Sequence, residues 1–212
     1  LLGAAGQPPA GHWVDATFGR GGHSRLVLSR LGAGGLLTVF DKDPLAIAEA
    51  QSLGDARVSI RHEGFAHLSD LPAASADGLL MDLGVSSPQI DDPQRGLSFR
   101  NDGPLDMRMD PTQGESAADL VNNATENVLA QLILTYGEER RARAIARAMV
   151  KARAQAPITT TAQLARIVES VLPRKGRQHP GTRTFQALRI AVNGELDALD
   201  ALLDSSVRLL GQ

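Results

Sequence analysis

Asp15-Ala-Thr-Phe-Gly-Arg-Gly-Gly-His-Ser24 lies between two runs of different periodicity. Before it, His12-Trp-Val-Asp15 predicts a strand. After it, Ser24 to Leu31 predicts a helix. Gly19, Gly21 and Gly22 fill the turn. Glycine lets the backbone approach a ligand closely, and a helix start offers unpaired N–H groups. Strand, glycine-rich turn and helix start together predict a nucleotide-type cradle.

The pattern repeats down the chain. Leu36-Leu-Thr-Val-Phe40 is a continuous apolar run, suited to a strand buried on both faces of a parallel sheet. It ends in Asp41-Lys-Asp43, and Pro44 opens a short helix with Asp43 as its N-cap. Arg57–Ile60 and Asp77–Asp82 predict two more strands, with a short helix over Ala66–Leu71. Strands alternating with helices indicate βαβ units. Asp15, Asp41 and Asp82 each end a strand, and open α/β sheets bind ligands at the carboxyl ends of their strands. Asp41 follows Gly21 by 20 residues, the offset at which an acid accepts ribose hydroxyls in dinucleotide folds. The dinucleotide fingerprint G-x-G-x-x-G fails at its last position, where Ser24 stands. That weakens a diphosphate reading and favours S-adenosylmethionine, with a nicotinamide cofactor as the alternative.

Beyond Asp82 the rhythm changes. Residues 83–115 are rich in Gly, Pro and Asp and predict a long loop, which in a compact domain is functional or leads into a second domain. Helical patterns follow over 127–136, 138–154 and 161–172, the last opened by the capping box Thr160/Gln163. One long helix is predicted from about Thr184 to Leu210. The expected division is residues 1–94 plus 182–212 as the ligand-binding domain, with 95–181 as a helical insertion.

Of the 212 residues, 42% are hydrophobic and 22% charged, ordinary for a globular protein, and there is no cysteine. Disulfides, zinc-thiolate sites and a thiol nucleophile are thereby excluded. No apolar run approaches the ~18–20 residues that span a bilayer, so a cytoplasmic location is the expectation. A start at Leu1 without methionine, and an end just after a helical pattern, read as truncation at both ends. Residues 1–139 hold nine Lys/Arg against 19 Asp/Glu, net −10, whereas residues 140–212 hold 13 against five, net +8. The basic half suggests a polyanion partner, although an amphipathic helix pair with solvated arginines explains the charge equally well. The face Arg140, Arg141, Arg143, Arg147, Lys151 and the cluster Arg174, Lys175, Arg177, Arg183 would suit phosphate contacts.

Six blocks in order are more specific than the turn alone: DATFGRGGHS at 15–24, MDLGVSSPQ at 81–89, RGLSF at 95–99, DGPLDMRMD at 102–110, TYGEER at 135–140 and TRTFQALRI at 182–190. Together they resemble the bacterial ribosomal RNA small-subunit methyltransferase H family, over about residues 12–210. The resemblance implies a class I, Rossmann-like α/β methyltransferase sheet, incomplete at the C-terminus, with a helical insertion for substrate recognition. It implies methylation of the exocyclic N4 of a cytosine in 16S rRNA, on an assembled small subunit near the decoding centre. It implies S-adenosylmethionine contacts at Gly21, Gly22, His23, Asp41, Phe65, Asp82 and Gln89. Asp82 is the candidate catalytic acceptor at the amine, where some DNA amino-methyltransferases instead place Asp/Asn-Pro-Pro-aromatic. No metal is expected, and a homodimer is compatible with the sequence. An NAD-type oxidoreductase and an inactive RNA-binding fragment are the alternatives.

Overall fold

The structure is a computed structural model that describes residues 10–172 and 179–211; the predicted basic positions Arg174, Lys175 and Arg177 lie outside the described residues. The chain divides into two compact units, Leu1–Gly84 with Leu196–Gln212, and Val85–Glu195.

The first unit is built on a four-stranded parallel sheet of order β3-β2-β1-β4, with β1 His12–Asp15, β2 Leu36–Phe40, β3 Val58–Arg61 and β4 Gly78–Leu80. Helices α1 Gly22–Leu28 and α2 Pro44–Gln51 follow β1 and β2. Asp43 caps α2 as its composition predicts, its side chain accepting from the Leu45 amide at 3.0 Å. β2 is central and buried from Leu37 onward, which accounts for its unbroken apolar run. One cluster joins Phe18, Val27, Leu28 and Leu31 to Leu37, Val39, Ala46 and Ala50. A second joins Val14, Phe40, Leu68 and Leu71 to Leu202 and Leu209 of α9, Glu195–Leu210. The return helix is also tied by backbone: Arg208 Nη2 donates to the carbonyls of Ser69 at 2.5 Å and Leu71 at 2.9 Å, and the Ala74 amide donates to the Arg208 carbonyl at 2.9 Å. The helix expected over 66–71 is a 3-10 turn, Phe65–Asp70.

The second unit is helical: α3 Ser87–Asp91, α4 Ala117–Asn123, α5 Glu126–Gly137, α6 Ala142–Arg153, α7 Thr161–Val171 and α8 Thr182–Asn193. Its core gathers Leu129 and Ile133 of α5, Ile145 and Met149 of α6, Leu164 and Val168 of α7, and Phe185 and Leu188 of α8. The Thr160/Gln163 capping box forms, the Thr160 hydroxyl accepting from the Gln163 amide at 3.3 Å and Gln163 Oε1 from the Thr160 amide at 3.1 Å. The segment expected as a long loop is largely fixed. Arg95 is buried and donates through Nη2 to the Met109 carbonyl at 2.7 Å. Asn193 donates to the Met107 carbonyl at 2.8 Å and accepts from the Met109 amide at 2.7 Å. Met107 is fully buried, in the left-handed region at φ 64°.

Two further expectations differ from this architecture. The single helix over 184–210 is two helices, α8 and α9, broken where Gly194 takes φ 59° and its amide donates to the Ala191 carbonyl at 3.3 Å. The apolar stripe runs through both halves, so its period gives no sign of the break. Accordingly the units divide at 84/85 and 195/196, not at 94/95 and 181/182. Phe185, Ala187 and Leu188 belong to the helical core, so α8 goes with the second unit.

Candidate active site

The parallel register brings the acids to one edge. Asp15 pairs with Val39 of β2 and Leu80 of β4, so Asp41 and Asp82 each lie two residues beyond the level of Asp15. Each acid is engaged differently. Asp15 is buried; its Oδ1 accepts from the Thr17 amide at 3.0 Å and its Oδ2 from the Ser24 hydroxyl at 2.6 Å. Asp41 is half-buried; its Oδ2 accepts from the Gly19 amide at 2.7 Å and its Oδ1 from the Asp43 amide at 2.8 Å. It therefore holds the glycine turn directly while keeping acceptor capacity on both oxygens. Asp82 is exposed, its backbone amide donating to the Thr17 hydroxyl at 2.7 Å.

Thr17 and Ser24 are the residues sequence reasoning missed. Thr17 joins the turn after β1 to the residue after β4. Ser24, standing where a dinucleotide fingerprint has glycine, is fully buried and bonded to Asp15. The acid at 15 and the hydroxyl at 24 could have signalled this, since a helix start buried against a strand-end carboxylate needs a donor there.

Burial raises the pKa of Asp15 above its ordinary 3.8, against lowering by the Ser24 and Thr17 hydrogen bonds and the charge of His23; the charge of Asp82 raises it further. Burial also raises Asp41, against the Asp43 and Gly19 amides, with the charges of Asp43 and Asp15 adding to the rise. Burial is the leading cause at both acids, and neighbouring carboxylates add to it. A buried acid with a raised folded-state pKa loses stability as pH climbs from its unfolded value through the folded one. Asp15→Asn preserves an acceptor for Thr17 and offers an N–H to the Ser24 oxygen. Its melting temperature is expected to equal or exceed the parent's at pH 7, and the difference should shrink as pH falls towards about 4. A pH-independent drop in melting temperature would show that the charge at 15 is needed for folding.

The turn leaves room for a ligand. An ideal Cβ built on Gly19 or Gly22 meets nothing within 4 Å, whereas one on Gly21, at φ 71°, lies 2.5 Å from the Phe18 ring. Among the described residues no side chain caps the start of α1. His23 is exposed, its Nδ1 3.9 Å from Asp82 Oδ2. Phe65 follows β3 at the same sheet edge, half-buried against the Val14–Phe40–Leu68 cluster. Gln89 lies on α3 in the second unit, where its Oε1 accepts from the Ser86 amide at 2.9 Å and completes the cap of that helix. The first unit therefore gathers Gly21, Gly22, His23, Asp41, Phe65 and Asp82.

No described helix is long and apolar enough to cross a membrane. The sequence pattern of the MraW methylase family matches residues 5–212. Three similar proteins are each called ribosomal RNA small subunit methyltransferase H. That of Paracidovorax citrulli is 60% identical, over 99% of this chain and 68% of its own. That of Delftia acidovorans is 59% identical, over 99% and 69%. That of Chromobacterium violaceum is 56% identical, over 96% and 66%.

Proposed function

This chain belongs to the MraW methylase family, and from that we propose that it uses S-adenosylmethionine to methylate the exocyclic N4 of a cytosine in 16S ribosomal RNA. The relatives' names supply the RNA class, and the assembled small subunit near its decoding centre is the substrate we infer. One observation carries the cofactor reading: the parallel register sets Asp15, Asp41 and Asp82 along one sheet edge beside an open glycine turn, a concentration of negative charge. Such a cradle disfavours a pyrophosphate and favours a ligand bearing positive charge.

S-adenosylmethionine, when bound, supplies a methyl group made electrophilic by its sulfonium. Asp41 would accept from the ribose hydroxyls, the amides of Gly22 and His23 would receive the amino-acid carboxylate, and Phe65 would line the same edge. Asp82 takes the reacting amine. The N4 lone pair is delocalised into the cytosine ring, so a carboxylate accepting from N4–H would raise its nucleophilicity as the N–C bond forms and the methyl–sulfur bond breaks, its electron pair leaving on a neutral thioether sulfur. Asp82 then receives the proton released from the nitrogen. Its exposed side chain, on a backbone held by Thr17, suits that task. Fixing the reacting atoms about 3–3.5 Å apart supplies much of the rate.

Calorimetry with S-adenosylmethionine and with NAD, followed by incubation with small subunits lacking the mark and mass analysis of the digested rRNA, tests the proposal. Micromolar-range binding of the methyl donor and the appearance of N4-methylcytidine are expected. Binding of NAD alone would overturn the methyl-donor reading in favour of a nicotinamide site, and donor binding without methyl transfer would overturn the activity.

A further inference from the structure

The arginines of the basic half divide into two groups once their partners are known. Arg153 Nη1 donates to the Val121 carbonyl at 2.6 Å, Arg183 Nη1 to the Glu138 carbonyl at 3.0 Å, and Arg189 pairs with Glu195 at 2.8 Å. These three hold the helical unit together. Arg140, Arg141, Arg143, Arg147 and Lys151 are exposed, and among the described residues the ion pair their side chains make is Arg147 with Glu126, at 3.6 Å.

Their placement opposes folding. Arg141 is the N-cap of α6 and Arg143 lies in its first turn, which holds no acid; the Glu139 carboxylate just before it accepts from the Arg141 amide at 2.9 Å. Cations at a helix N-terminus face the positive end of the helix dipole. Arg143, Arg147 and Lys151 are also spaced i, i+4, i+8, so like charges are neighbours along about 12 Å of helix. The opposite face carries the core residues Ala142, Ile145, Ala146 and Met149, so the cations cannot turn away. Nothing in the unit's packing requires five cations there.

We propose that the α6 row, from Arg140 to Lys151, is the surface that grips the phosphate backbone of the RNA substrate; this rests on the methyltransferase reading above. Guanidinium groups meet phosphate oxygens through paired N–H donors. Spread over about 12 Å, the row can meet two or more successive phosphates of one strand. Contacts to phosphate of this kind position RNA on the helix rather than read its sequence.

The quadruple variant Arg140→Gln, Arg143→Gln, Arg147→Gln, Lys151→Gln tests this against Arg153→Gln. The quadruple variant should melt no lower than the parent and bind S-adenosylmethionine unchanged. Its affinity for small-subunit rRNA at 0.15 M salt should fall at least about tenfold, and its log K against log salt slope should flatten by about 3. Arg153→Gln should lower the melting temperature and leave that slope alone. Unchanged rRNA affinity and slope in the quadruple variant, with methyl transfer intact in the parent, overturn the row and leave the methyltransferase reading standing. Absence of donor binding in the parent instead overturns the methyltransferase reading.

Discussion

Asp41→Ala is expected to weaken S-adenosylmethionine binding by about a hundredfold. Two hydrogen bonds from ribose hydroxyls to a carboxylate are each worth about 1.5–3 kcal/mol, and some 3 kcal/mol is two decades of affinity. The same substitution frees the amides of Gly19 and Asp43, so the glycine turn loosens as well. Asp41→Asn separates the two effects, because it keeps the volume and one acceptor oxygen; it should lose about tenfold. Calorimetry reads both. Because burial raises Asp41 above 3.8 in the free protein, donor binding should also weaken as pH falls through that raised value. Asp41→Asn should lack this dependence. Parental affinity in Asp41→Ala would remove Asp41 from the site, and with it the main support for a ribose-bearing ligand.

Gly96→Ala should be among the most damaging small substitutions in the helical unit. Gly96 has φ 66°, and an ideal Cβ there lies 2.2 Å from the Pro104 carbonyl oxygen and 2.7 Å from the Asp106 nitrogen. Both obstacles are backbone, fixed by their neighbours. The Leu105 amide donates to the Thr159 carbonyl at 2.9 Å, and the Met107 amide to the Arg95 carbonyl at 3.0 Å. The clash cannot be relieved by a side-chain rotation, so a loss of about 3 kcal/mol or more is expected, a fall of roughly 6–12 °C in melting temperature. Gly114→Ala is the control. Its φ is 76°, but its Cβ would meet nothing within 4 Å, leaving only the left-handed backbone cost of about 1–2 kcal/mol. Equal melting temperatures for the two variants would mean that residues 104–106 move aside freely.

Both predictions rest on contacts of very different range, and that range sets what a sequence reveals. The strand, glycine turn and helix at 12–28 depend on local patterning and were legible in order, although α1 begins at Gly22 and ends at Leu28 rather than running from Ser24 to Leu31. So was the convergence of Asp15, Asp41 and Asp82, because parallel strands must place their carboxyl ends on one edge. The caps at Asp43 and Thr160 reach no further than three residues, and both form.

What the sequence left open depends on partners far along the chain. Thr17 holds Asp82 across 65 residues, and Asn193 fixes Met107 across 86. No local pattern announces either. Between Thr184 and Leu210 an apolar stripe continues unbroken, and one glycine in a helix costs only about 1 kcal/mol. Packing decides there: Phe185 and Leu188 enter the helical core while Leu202 and Leu209 enter the sheet core, so the chain turns at Gly194. The basic half was equally ambiguous. Its charge was plain from composition, but only the carbonyls of Val121 and Glu138 distinguish an arginine that holds the fold from one left facing water. Sequence alone determined the cradle and its acids, because hydrophobic period, glycine and strand topology act locally. Tertiary structure decided how those acids are held, where the units part and which cations are free, because each follows from burial against residues that chain order keeps apart.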